Sequence, residues 1–120
     1  SAVVAKCDKY SEIQGMIINY LSKNEDKDTF QRDIEEIFTI RRSTVTGVLQ
    51  SMEKNNLIIR ENVSYDARLK KIILTEFGKK IHVHMIKEME KFEDTITKGV
   101  SEEDLEMFVQ ILNKFKKNIE

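Results

Sequence analysis

Apolar side chains recur three and four residues apart along most of this chain, and the period breaks between residues 57 and 74. There two runs rich in β-branched residues, "LIIRENV" (57–63) and "LKKIIL" (69–74), flank the polar stretch "SYDAR". Spacings of three and four specify amphipathic helix, and short β-branched runs around a polar turn specify a hairpin. The chain is thereby restricted to a helical domain with one small antiparallel hairpin between its third and fourth helices. It contains no proline, so every residue keeps the backbone donor a helix needs.

The elements follow from the same spacing. Residues 10–23 place Tyr10, Ile13, Met16, Ile17, Tyr20 and Leu21 on an amphipathic helix. After the polar loop "NEDKD", Asp28 or Thr29 is expected to cap a short helix over 30–38 with Phe30, Ile34, Ile37 and Phe38 inward. A third helix over 42–55 turns Val45, Val48, Leu49 and Met52 inward and Ser43, Thr46, Gly47, Gln50 and Lys54 outward. Asn56 ends it, because asparagine tolerates the left-handed conformation of a helix stop. Thr75 is expected to cap a long helix to about Lys98, with Phe77, Ile81, Met85, Met89, Phe92 and Ile96 as apolar positions and Gly99 as the stop. Ser101 with Asp104 resembles a capping box, and Val100 with Leu105 is spaced as its hydrophobic staple. The last helix carries Leu105, Phe108, Leu112, Phe115 and Ile119 in alternating steps of three and four, a short heptad seam.

Composition narrows the function. The chain is 40% hydrophobic and 34% charged, as a globular domain is. No apolar run approaches the ~20 residues of a membrane span, so no membrane partner is expected. The start "SAVVAKCDKY" is too short and too charged for a signal peptide, and the single Cys7 allows no intramolecular disulfide. Both point to the cytoplasm. Net charge is -1, but residues 41–80 hold nine Lys/Arg against four Asp/Glu, so that segment is +5 and the remainder -6. Basic charge gathered in an acidic protein is a footprint for a polyanion; the competing reading is chance clustering on a solvated face.

The helix over 42–55 carries the chemistry. Its outward face of Ser43, Thr46, Gly47 and Gln50 lacks bulk and lacks the Lys/Glu pairs of an ordinary solvated helix. Small polar side chains let a helix sit deep in a major groove, where hydroxyls bond base edges and glutamine pairs with adenine. Arg41 and Arg42 stand at its N-terminus, where a phosphate or a guanine is within their reach.

The stretch "IRRSTVTGVLQSMEKNNLIIR" followed by "DARLKKIILTEFGKKI" resembles the MarR family of bacterial transcriptional regulators. The matching pieces are the "STVT" helix, its exit "LQSMEKNNLIIR" into the hairpin, Asp66-x-Arg68, and Leu74, Thr75 and Gly78 opening the long helix. Together they cover roughly residues 10 to 120. The resemblance implies a winged helix-turn-helix: mainly α with a small two- or three-stranded antiparallel wing, and long C-terminal dimerisation helices. It implies a homodimer on pseudo-palindromic double-stranded DNA. Arg42, Ser43, Thr44, Thr46 and Gln50 would lie in the major groove with Arg41 beside them. Arg68, oriented by Asp66 and flanked by Lys70 and Lys71, would enter the minor groove. Residues 1–9 are expected as a stub of an N-terminal dimerisation helix, 10–75 as the DNA-binding lobe, and 76–120 as the dimerisation region. In that last region Leu105, Phe108, Leu112, Phe115 and Ile119 are expected at the interface. Two residues depart from the family pattern: Gly47 replaces a larger, often basic residue, and Asn56 replaces the usual glycine.

The expected function is a sequence-specific transcriptional regulator, a repressor under small-molecule control. The alternative is a winged helix used for protein–protein contact without an operator. Other features read as structural. Cys7 has no second cysteine to resolve it. His82 and His84, two apart on a helix, point in different directions and chelate no metal. Met85, Met89 and Met107 are core filler, with an effector pocket as the alternative. No catalytic arrangement and no glycine-rich phosphate loop is present, so neither enzymatic activity nor a cofactor is expected.

Overall fold

The computed structural model describes residues 11–120. Tyr10, Cys7 and the expected stub over 1–9 lie outside the described residues. Ser11 opens α1 (Glu12–Lys23), its hydroxyl accepting the Gln14 N–H at 3.2 Å and satisfying a donor that a helix start leaves bare. Ile17, Ile18 and Leu21 enter the core. Met16, expected inward, is 43% exposed. At about 100° per residue it lies opposite the arc of Gln14, Ile18 and Leu21 that faces the protein, and Ile18 fills the core in its place.

The second helix, α2 (Gln31–Phe38), is not capped by Asp28 or Thr29. Phe30 is its N-cap residue, and Asp33 reaches back to accept the Phe30 N–H at 2.8 Å. Thr29 is buried, and its carbonyl accepts the Ile72 N–H at 2.7 Å. Asp28 instead faces the hairpin, through Tyr65 and Lys71. Phe38 meets Tyr20 edge to face, ring centroids 6.2 Å apart. That contact turns α2 onto its Ile34–Phe38 side and leaves Ile37, expected inward, 46% exposed. Thr39, left-handed at φ 52, makes the tight turn into α3 (Arg42–Lys54).

Val45, Leu49 and Met52 of α3 are buried, as their spacing predicts. Asn56 adopts φ 60, and the chain leaves the helix into β1 (Ile58–Val63) and β2 (Asp66–Leu74). The strands pair antiparallel from Ile58↔Leu74 to Asn62↔Lys70, then slip so that Val63 faces Asp66. Ala67, Arg68 and Leu69 are the extra residues of this bulge. The second strand thus starts three residues earlier than its apolar run, and the tip shrinks to Ser64 and Tyr65. A bulge held by polar side chains has no β-propensity signal to announce it. The wing has two strands; the α1–α2 loop adds the single Thr29–Ile72 backbone bond rather than a third.

Thr75 roots the next helix, α4 (Glu76–Ile96), on the hairpin. Its hydroxyl lies 2.6 Å from the Asn56 carbonyl and 3.1 Å from that of Leu57, and accepts the Gly78 N–H at 2.9 Å. Gly78 sits against the Leu57 carbonyl and the Leu74 side chain, where a Cβ has no room. One compact unit extends to Lys87, inside α4. The reason is that Ile81 is fully buried in the core, with Phe77 and Met85 packed against it. The second unit, Glu88–Glu120, holds the rest of α4, a turn at Gly99 (φ 81) and α5 (Glu102–Ile119). Ser101 caps α5 by accepting the Asp104 N–H at 3.1 Å.

Candidate nucleic-acid interface

Helix α3 presents its outward face to solvent. Arg41, Arg42, Ser43, Thr44 and Gln50 are exposed. The N-cap residue, Arg41, supplies no side-chain cap, so the first N–H groups of α3 are left to an external acceptor such as a phosphate. Thr46 is half-buried. Its hydroxyl donates to the Arg42 carbonyl at 2.9 Å and accepts from Gln31 Nε2 at 2.8 Å. Gln31 stands at the first turn of α2 and had no signal in the sequence, since its partner is fifteen residues away. Behind the helix, Gln14 Nε2 reaches Ser51 Oγ at 3.4 Å, tying α3 to α1.

The wing is oriented by charge. Asp66 accepts the Arg68 backbone N–H at 2.9 Å and two guanidinium N–H groups at 3.2 Å each. Those bonds, from the guanidinium first and the backbone second, hold the Asp66 carboxyl below its ordinary value. The Arg68 side chain nevertheless remains 90% exposed. The guanidinium is aimed by one face while its other donors stay free, as insertion into a narrow groove requires. On the strand of the wing nearer α3, Arg60 Nε lies 3.0 Å from Glu53 Oε1, an ion pair between the wing root and α3 in which Nε is not aligned for a hydrogen bond.

Lys70 and Lys71 point to opposite faces, as successive strand residues must. Lys70 joins Arg32, Arg42, Arg60 and Arg68 around an open groove of ≈ 420 Å³, with Glu35 the one acid on its lining. Lys71 turns the other way, its ammonium 3.8 Å from Asp28, and so stands apart from the groove residues. Arg32, on α2, lies outside the basic segment visible in the sequence and is added by the fold.

In the second unit the expected seam is uncovered. Leu105 is half-buried, whereas Phe108, Leu112, Phe115 and Ile119 are exposed, Phe115 by 62% and Ile119 by 87%. Met89, Phe92 and Ile96 of α4 are exposed as well. No residue of α5 is buried. An apolar helix face of this extent marks an interaction surface.

His82 Nε2 sits 3.1 Å from Asn19 Oδ1, and burial first, then Lys23, pushes its pKa below the ordinary value. Among the described residues no three His, Cys, Asp or Glu side chains converge on a metal position. No helix among the described residues is long and apolar enough to cross a membrane.

Comparison with known proteins agrees with this geometry. The sequence model of the MarR family matches residues 10–69. The chain is similar to the transcription regulator MarR from Oenococcus oeni PSU-1, at 32% identity over 97% of this chain and 86% of that one, TM-score 0.64. It is similar to MepR of S. aureus in a DNA complex, at 26% identity over 92% and 79% of the two chains, TM-score 0.71. It is also similar to the heme sensor PefR from Streptococcus agalactiae, solved with heme, at 28% identity over 93% and 76%, TM-score 0.74.

Proposed function

Because the chain belongs to the MarR family of DNA-binding transcription regulators, we propose that it acts in the cytoplasm as a homodimeric repressor on a pseudo-palindromic operator, released by a small molecule. One observation carries the reading. Arg42 at the start of the exposed helix and Arg68 and Lys70 on the wing share one basic groove, in a protein whose net charge is -1. Such a concentration of cations beside a small polar helix face fits a phosphate backbone flanking a major groove.

In this reading Arg41, Arg42, Ser43, Thr44, Thr46 and Gln50 meet bases and phosphates, and Arg68 enters the adjacent minor groove. Two such helices must lie ~34–36 Å apart to read symmetric half-sites, and only a dimer holds that spacing. The uncovered seam from Leu105 to Ile119 supports a second copy as the occupant. Residues 10–75 then act as the DNA-binding lobe and 76–120 as the dimerisation region.

The test is a selection of genomic fragments on the purified protein, followed by titration of the best fragment at several salt concentrations, for the wild type and Leu112→Glu. Tight binding that falls steeply with salt, two-fold symmetry in the fragment, and a monomeric Leu112→Glu protein with lost operator affinity are expected. Salt-independent or sequence-indifferent binding would refute operator recognition. A Leu112→Glu protein that stays dimeric in light scattering would move the interface elsewhere.

A further inference from the structure

We propose that Gln31, which lies outside the recognition helix, determines which base Thr46 selects by fixing the polarity of the Thr46 hydroxyl. The inference rests on the reading above that α3 lies in a major groove. Gln31 Nε2 is 2.8 Å from Thr46 Oγ1 and 3.4 Å from the Arg42 carbonyl. A carbonyl only accepts, so the amide NH₂ rather than the amide oxygen faces this pair. Gln31 is therefore the donor to Thr46.

The hydroxyl has one proton and two lone pairs. With Gln31 donating into one lone pair, the proton is directed to the Arg42 carbonyl, 2.9 Å away. One lone pair and the γ-methyl remain. In this state Thr46 accepts but does not donate. In the major groove adenine and cytosine offer an amino donor and thymine a methyl, whereas guanine presents two acceptors. Thr46 held by Gln31 thus suits the first three and disfavours guanine. Without Gln31 the hydroxyl is free to turn its proton outward and bond a guanine, so the discrimination is lost. Gln31 touches no base in this scheme; it is a positioning residue for specificity.

The experiment selects binding sites from a randomised double-stranded oligonucleotide library with the full chain, comparing wild type, Gln31→Met, Thr46→Val and the double variant. Gln31→Met should bind its preferred site about as tightly as wild type. Its discrimination against guanine should fall about fivefold at one symmetric position per half-site, the equivalent of one neutral hydrogen bond. Thr46→Val should change preference at that same position, and the double variant should match Thr46→Val, because the two residues act as one unit. If Thr46→Val changes that position and Gln31→Met does not, Gln31 sets no polarity and the proposal fails. If neither variant changes the consensus while wild type still selects an operator, Thr46 reads no base; the proposal fails and operator binding stands. A wild type that selects no sequence removes both. Should Gln31→Met lose its cooperative melt, Gln31→Leu, which can neither donate to Thr46 nor accept from it, reads the same position with the same expected loss.

Discussion

Replacing Gly78 by alanine tests how the wing is rooted. Gly78 is the third residue of α4, and a Cβ there would collide with the Leu57 carbonyl oxygen and lie 2.6 Å from Leu74 Cδ1. Leu57 O already accepts from the Thr75 N–H at 3.0 Å and the Thr75 hydroxyl at 3.1 Å. Moving it aside lengthens the Thr75 N–H bond, worth about 1 kcal/mol net, and the hydroxyl's secondary contact, whose proton is shared with the Asn56 carbonyl at 2.6 Å. Leu74 is buried and cannot swing out without leaving its rotamer. Against this stands the helix propensity gained from glycine to alanine, at most about 1 kcal/mol and less in a first turn. Overpacking of this kind costs typically ~1–3 kcal/mol, so Gly78→Ala should be destabilised by about 1–2 kcal/mol. For a lobe of this size each kcal/mol lowers Tm by about 4–8 °C. Thermal melting followed by circular dichroism, with urea midpoints alongside, measures the change. Gly47→Ala is the control: its Cβ meets nothing within 4 Å, so it should gain up to about 1 kcal/mol from propensity alone. A Gly78→Ala protein that melts at or above wild type would refute the claim that this joint is filled.

Two further outcomes concern the wing. Arg68→Ala should weaken DNA binding at every sequence and reduce the slope of log affinity against log salt by up to about 0.9, the effect of one lost phosphate contact; an unchanged titration would remove Arg68 from the interface. Carboxyl NMR should find Asp66 titrating below the ordinary aspartate value, and Arg68→Ala should raise it part of the way back, since the backbone bond from residue 68 persists. Because the folded pKa is lowered, this interaction stabilises the wing above the ordinary carboxylate range and is lost as pH falls through the lowered value. An Asp66 titration indifferent to Arg68 would show that the ion pair does not form in solution.

Much of this molecule is written in short-range pattern. The inward Val45, Leu49 and Met52, the left-handed Asn56, the Thr75 cap and the Gly99 stop all depend on neighbours within one or two helical turns, so spacing and local backbone preference suffice to read them. The family likeness, too, rests on contiguous stretches around α3 and the wing. The tertiary structure decided whatever depends on residues far apart in sequence. Which arc of α1 and α2 turns inward was set by contacts such as Phe38 on Tyr20, and so Met16 and Ile37 came out exposed. Strand alternation alone separates Lys70 from Lys71, but only the packed lobe decided that Lys70 meets the groove and Lys71 meets Asp28. Arg32 joined the basic face, and Gln31 reached Thr46, only when α2 was packed across α3. Periodicity records which residues prefer burial, but it carries no information on the direction from which a neighbouring element arrives. That direction is settled by packing the whole lobe at once, and it determines which charges and hydrogen bonds face the same groove.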